Sequence, residues 1–262
     1  MNGTSTNGVQ SFEGLDKNPL RRAWRGNKEG TIELKGASTV RRSGHMAAAL
    51  RYWGKCGFGE GISGHITVRD PVLPDHYWMN PIAEHFSTMT KSMLVLVGPD
   101  GYVSPHGAQL PINTSGFHIH SAIHKARPEI KAAAHCHSLY GKTWSAFGRP
   151  IDMLTQDSCF EGENIAAALG SKWKTCIMQN HGLLTLGHTV DEAVFLFSVL
   201  DRLCQAQLLA EAAEANGIPK AVISKEDAEF TAKQFQYWEN GYVCFQPEYK
   251  LLLQETNEAF LK

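Results

Sequence analysis

The feature that most constrains this chain is how short its strand-like runs are and how regularly turn residues close them. Ile66–Arg69 alternates apolar and polar residues, Tyr77–Asn80 is aromatic and stops at Pro81, and Met93–Val97 stops at Gly98-Pro99-Asp100-Gly101. Ile130–Cys136 reads as a buried strand, and Cys176–Gln179 and Leu183–Leu186 read as two more, the last closed by Gly187. Helical patterns surround them. One starts at Ser38-Thr39 and stops at Gly57, and others cover Phe117–Lys125, Leu139–Phe147 and Ile165–Leu169. The longest runs from about Val190 to Ala215, with Asp191 and Glu192 in its first turn and Gly217-Ile218-Pro219 ending it. A last helix is expected from about Lys225 to Trp238. Short central strands with helices before, between and after them imply an α/β sandwich around a mixed or antiparallel sheet.

A chain of 262 residues suits one large domain. We expect a polar, glycine-rich arm over 1–37, flexible or docked on a neighbour, then a domain over 38–245 and a tail over 246–262. The net charge is −1, and basic residues form no run beyond Arg21-Arg22 and Arg41-Arg42, which argues against a nucleic-acid surface. The expected partners are a small molecule and further copies of the chain. Six scattered cysteines without a CxxC pair read as reduced thiols in a cytoplasmic protein. The N-terminus lacks the apolar run of a signal peptide, and no stretch is expected to approach the roughly 18 apolar residues that would span a bilayer.

The sharpest chemical signal is Ala132-Ala133-Ala134-His135-Cys136-His137. On a strand, residues two apart share a face, so His135 and His137 point together while Cys136 points away. Two adjacent imidazoles make half of a zinc site. His181, between an apolar run and Gly182, offers a third ligand from another strand. The pattern alone equally allows His135 as a hydrogen-bonded core residue and His181 as a turn residue. The chain has 12 histidines, and His118-Ile119-His120 repeats the spacing. His120 and His124, four apart on a helix, read mainly as packing or hydrogen-bonding residues.

Gly64–Pro71, His135–Ser138 and Asn180–Leu184, with the blocks His120–Pro128 and Gly187–Ala193, resemble the class II aldolase/adducin family from about residue 38 to 215. The resemblance implies a three-layer α/β/α sandwich around a mixed, largely antiparallel sheet. It also implies a divalent metal, usually zinc, on His135, His137 and His181, and a homo-oligomer, a tetramer being favoured. The C-terminal aromatics Phe235, Tyr237, Trp238, Tyr242 and Phe245 would then cover a cleft or fill an interface.

Departures from the family pattern bear on function. The aldolase glutamate, which is both metal ligand and base, corresponds to Gly116, and the aldolase tyrosine corresponds to Gln156. The phosphate-cradling Gly-Asn is Gly64-His65 here, leaving hydroxyls only at Thr114 and Ser115. This set resembles the adducin-side branch of the family. Candidate catalytic residues are therefore His118, close to the vacated glutamate position, Gln156, and Glu161 with its loop neighbours Asp157 and Glu163, a loop that equally reads as solvated. His65, Thr114 and Ser115 are candidate substrate contacts. The expected function is a metal-dependent lyase that takes a small, unphosphorylated hydroxy-carbonyl or keto acid through an enediolate, by retro-aldol, decarboxylation or dehydration. The alternative is a non-catalytic, adducin-like metal-binding oligomer. The C-terminal sequence EYKLLLQETNEAFLK carries no basic tail of the adducin kind, which points away from cytoskeletal work.

Overall fold

The computed structural model describes residues 39–161, 174–235 and 237–262. The arm over 1–37, the helix expected at Ile165–Leu169, and Glu163 lie outside the described residues, as does the side chain of Glu161. The elements are α1 (Thr39–Lys55), β1 (His65–Arg69), β2 (Tyr77–Met79), β3 (Val95–Val97), α2 (Thr114–Ala126), β4 (Ala132–Cys136) and α3 (Leu139–Ser145). They continue with α4 (Ser158–Glu161), β5 (Thr175–Met178), β6 (Gly182–Gly187), α5 (Val190–Ala215), α6 (Lys225–Phe235) and α7 (Trp238–Glu255).

The strands form one sheet in the order β3-β2-β1-β4-β6-β5, and every pairing is antiparallel. Register sorts the side chains by face. His65 pairs with His135 and Thr67 with Ala133, while His135 pairs with Leu184. These residues share one face, which α2 covers through contacts from His120 and His124 to Thr67. Ile66, Val68, Ala132 and Ala134 lie on the other face, in a core with Trp53 of α1, Phe197 of α5 and Phe245 of α7. Helix, sheet and helix thus form the three layers.

The long helix spans Val190–Ala215, as its pattern predicts. Thr189 caps it by accepting a hydrogen bond from the Glu192 amide at 3.1 Å, and Glu192 accepts one from the His188 amide at 2.7 Å. This corrects one expectation: α5 is long and apolar enough to cross a membrane, with a mean hydropathy of 1.4. In this fold it serves as a core helix, with Val194, Phe197 and Leu200 fully buried.

The C-terminal region also departs from expectation. The helix expected over Lys225–Trp238 is α6, Lys225–Phe235, but a further helix, α7, follows it, and the tail expected from 246 is the second half of α7 followed by a short 3-10 turn. Gly241 and Pro247 read locally as helix breakers. Tertiary packing overrides them, because Phe245, Leu252 and Phe260 are buried against the core. Phe245 therefore packs inside its own chain, edge-on to Tyr52 at 5.4 Å, while Trp238 stacks on His188 and Tyr242 on His45.

Candidate metal centre

Strand periodicity builds the first half of the site. β4 ends at Cys136, whose side chain enters the core, while His135 and His137 face the α2 side with ring centroids 5.1 Å apart. The antiparallel hairpin β5–β6 supplies the third imidazole. Its connection is Gln179-Asn180-His181, with Asn180 in the left-handed region at φ 57, a conformation asparagine tolerates better than most residues. The register Cys136↔Leu183 sets this turn against the end of β4. His181 then lies 4.8 Å from His135 and 4.7 Å from His137, centroid to centroid. Gly182 makes that approach possible, since a Cβ there would sit 2.8 Å from the Cys136 carbonyl oxygen.

One nitrogen from each ring lies within 4.8 Å of the others, and these residues form the one group of three or more such donors found among the described residues. The His135 Nδ1–H donates to the Leu183 carbonyl at 2.7 Å, which leaves Nε2 as the ligand lone pair. Burial pushes His135 down to about 4, and burial followed by the neighbouring His181 holds His137 below the ordinary histidine range. Both rings are therefore neutral at pH 7, the form that binds a metal. The donor set fits a divalent ion, and three imidazoles suit zinc.

The three rings open into a cleft of about 240 Å³. His65, Ser115, Gly116 and His120 line it with Ile62, Ile119 and others, and none of the lining residues is Lys or Arg. Of the predicted substrate contacts, His65 and Ser115 reach the cleft, whereas Thr114 is exposed and not part of its lining. Asn113 caps α2, accepting from the Gly116 amide at 2.9 Å.

The predicted catalytic positions need correction. The His118-Ile119-His120 spacing falls on a helix, where residues two apart diverge by about 200°. His118 is thus exposed and outside the cleft lining, and its partner His120 is the one that turns inward, fully buried. Gln156 and Asp157 are also exposed and outside the lining. Sequence reading undervalued His120 because helical phase separates it from His118 only once the buried face of α2 is known.

The vacated glutamate position is filled from across the sheet. A Cβ on Gly116 would lie 2.4 Å from Cε1 and 2.5 Å from Nε2 of His65. The two departures, histidine at 65 and glycine at 116, are thus one packing solution. Gly116→Ala should already cost about 1–3 kcal/mol by overpacking. Gly116→Glu should cost at least as much and close the cleft, and adding His65→Asn should restore most of the loss. Thermal melts of the two single variants and the double variant check this; simple additivity would refute the coupling.

The fold is an α/β sandwich, and its three-histidine cluster is a candidate metal site. Residues 44–208 match the family described as the Class II Aldolase and Adducin N-terminal domain, and the chain belongs to that family. It is 39% identical over 227 residues to decarboxylase NovR of Streptomyces niveus, covering 79% of this chain and 82% of the relative. It is also 39% identical over 228 residues to the 4-hydroxy-3-prenylphenylpyruvate oxygenase/4-hydroxy-3-prenylbenzoate synthase of Streptomyces roseochromogenus subsp. oscitans, covering 79% and 80%. Among solved structures, L-fuculose 1-phosphate aldolase from Glaciozyma antarctica PI12 matches with TM-score 0.80 at 38% identity, covering 90% of this chain and 96% of that one.

Proposed function

We propose that this protein is a metal-dependent lyase acting on a small, unphosphorylated hydroxy-carbonyl or keto acid, with the metal, preferably zinc, held by His135, His137 and His181. The observation that carries this reading is the three-imidazole cluster opening into a cleft whose described lining holds no lysine or arginine. A phosphate dianion is usually met by such cations. A divalent ion in the cluster supplies Lewis-acid charge suited to enediolate chemistry. The protein itself provides His135 and His137 as neutral imidazoles, the former oriented by the Leu183 carbonyl, and an apolar mouth at Ile62 and Ile119. The names of two relatives support the substrate class, since one is a decarboxylase and the other acts on a phenylpyruvate, which is a 2-keto acid.

Substrate-binding roles are assigned to His65 and Ser115. Glu161, Gln156 and His118 keep no assigned role at the described cleft. The six unpaired cysteines support a cytoplasmic setting. The test is to load metal-free protein with zinc and assay phenylpyruvates and hydroxy-keto acids for carbon dioxide or aldehyde release. Zinc-dependent turnover of these, with none of fuculose 1-phosphate, is the expected result. Sugar-phosphate cleavage as the main activity would overturn the substrate class.

A second reading, a non-catalytic metal-binding module, is favoured by Gly116, which supplies no base. Zinc binding without turnover of any of these substrates would select it. In either case we infer a homo-oligomer, a tetramer by family resemblance. Light scattering at micromolar concentration should give a mass near four chains, and a stable monomer would refute it.

A further inference from the structure

The floor of the cleft holds a hydrogen-bond chain with a single direction. The Ile130 carbonyl can only accept, so His124 donates to it from Nδ1, at 3.4 Å. A neutral His124 then has a bare Nε2, which takes the hydroxyl proton of Thr67 at 3.0 Å. Having donated its one proton, Thr67 Oγ1 accepts from His120 Nδ1 at 2.8 Å. His120 is thereby fixed as the Nδ1–H tautomer, with a lone pair on Nε2. Burial, together with the Arg69 guanidinium, holds His124 at about 3, so the chain keeps this direction at neutral pH.

His120 Nε2 is buried and has no partner among the described residues, on a residue that is fully buried and lines the cleft. Beside it, with ring centroids 4.4 Å apart, His65 has neither ring nitrogen partnered among the described residues and is 4% exposed. Buried polar groups left unmet destabilise a fold, so the pair is built for a ligand. A carbonyl or carboxylate oxygen would face the His120 lone pair with another lone pair. A hydroxyl can donate to His120 and accept from the N–H of His65.

We propose that His120 and His65 form a hydroxyl-recognition site, in which the Ile130–His124–Thr67 chain locks His120 as the acceptor of a ligand O–H. This rests on the small-acid reading above and narrows it to ligands that carry an alcohol, enol or phenol hydroxyl beside the acid group.

The test compares mandelate with phenylglyoxylate, two monoanions with the same heavy-atom skeleton that carry a hydroxyl and a keto oxygen respectively at C2, by calorimetry on zinc-loaded and metal-free protein. Wild type should bind mandelate about tenfold more tightly. His120→Phe should abolish the preference, and so should Thr67→Val, which leaves His120 in place but breaks the lock. Thr67→Ser should keep it. Equal binding by wild type, or a preference that survives Thr67→Val, overturns the proposal. A preference that is intact but indifferent to zinc overturns the metal reading and leaves this site standing. Failure of both acids to bind overturns both.

Discussion

Replacing His135 and His137 together with alanine should take the protein from about one bound divalent ion per chain to none measurable, because one remaining imidazole cannot hold zinc at the affinity of three. The fold should survive. His137 is half-exposed, and His135 faces the cleft rather than the core behind the sheet. The one structural loss is the hydrogen bond from His135 Nδ1 to the Leu183 carbonyl, at 2.7 Å. Losing it should cost about 1–3 kcal/mol if the carbonyl stays dry. Elemental analysis and circular dichroism of the double variant check both halves. Zinc should also raise the melting temperature of wild type and leave that of the variant unchanged, since a ligand selective for the folded state stabilises by mass action. Wild-type protein that takes up no zinc when loaded would refute the site.

The second large effect is on acid stability. Burial first, then neighbouring charge, depresses His65 to about 3, His124 to about 3 and His120 well below its ordinary value of 6.5. In the unfolded chain these rings protonate near 6.5, while in the folded protein His65 and His124 resist protonation down to about 3 and His120 resists it well below 6.5. Between those values the unfolded state binds more protons, so stability is fully present above pH 6.5 and is lost as pH falls. His65 and His124 each cost roughly 2 kcal/mol by pH 5, roughly 4 kcal/mol together, a large share of a typical domain's stability, and His120 adds to the loss in the same direction. Urea unfolding of metal-free protein at pH 7 and pH 5 should show this loss. His65→Asn should flatten the slope by about one proton, since His65 makes no side-chain hydrogen bond among the described residues. A folding free energy unchanged between the two pH values would show that these rings are not buried neutral.

Local periodicity made part of this protein legible in its sequence. Alternation at a strand end sets His135 and His137 on one face and Cys136 in the core, whatever the rest of the chain does. The helix Val190–Ala215 is likewise written in its cap, acidic first turn and Gly-Pro stop. Family resemblance extended this to the layered fold and to His181, which no local pattern ties to His135.

The rest depended on the tertiary arrangement, because it turns on which faces meet. Antiparallel register between β4 and β6 brings His181 to the other two histidines. Which of His118 and His120 matters is set by the side of α2 that lies on the sheet. Burial of Phe245 and Leu252 carries a helix through Gly241 and Pro247. The replacement for the missing glutamate is not a nearby acid or base in sequence but the ring of His65, 51 positions before Gly116, seated where a side chain would have begun. A glycine in a sequence reports only an absent side chain, and only the packed structure decides what occupies the space it leaves.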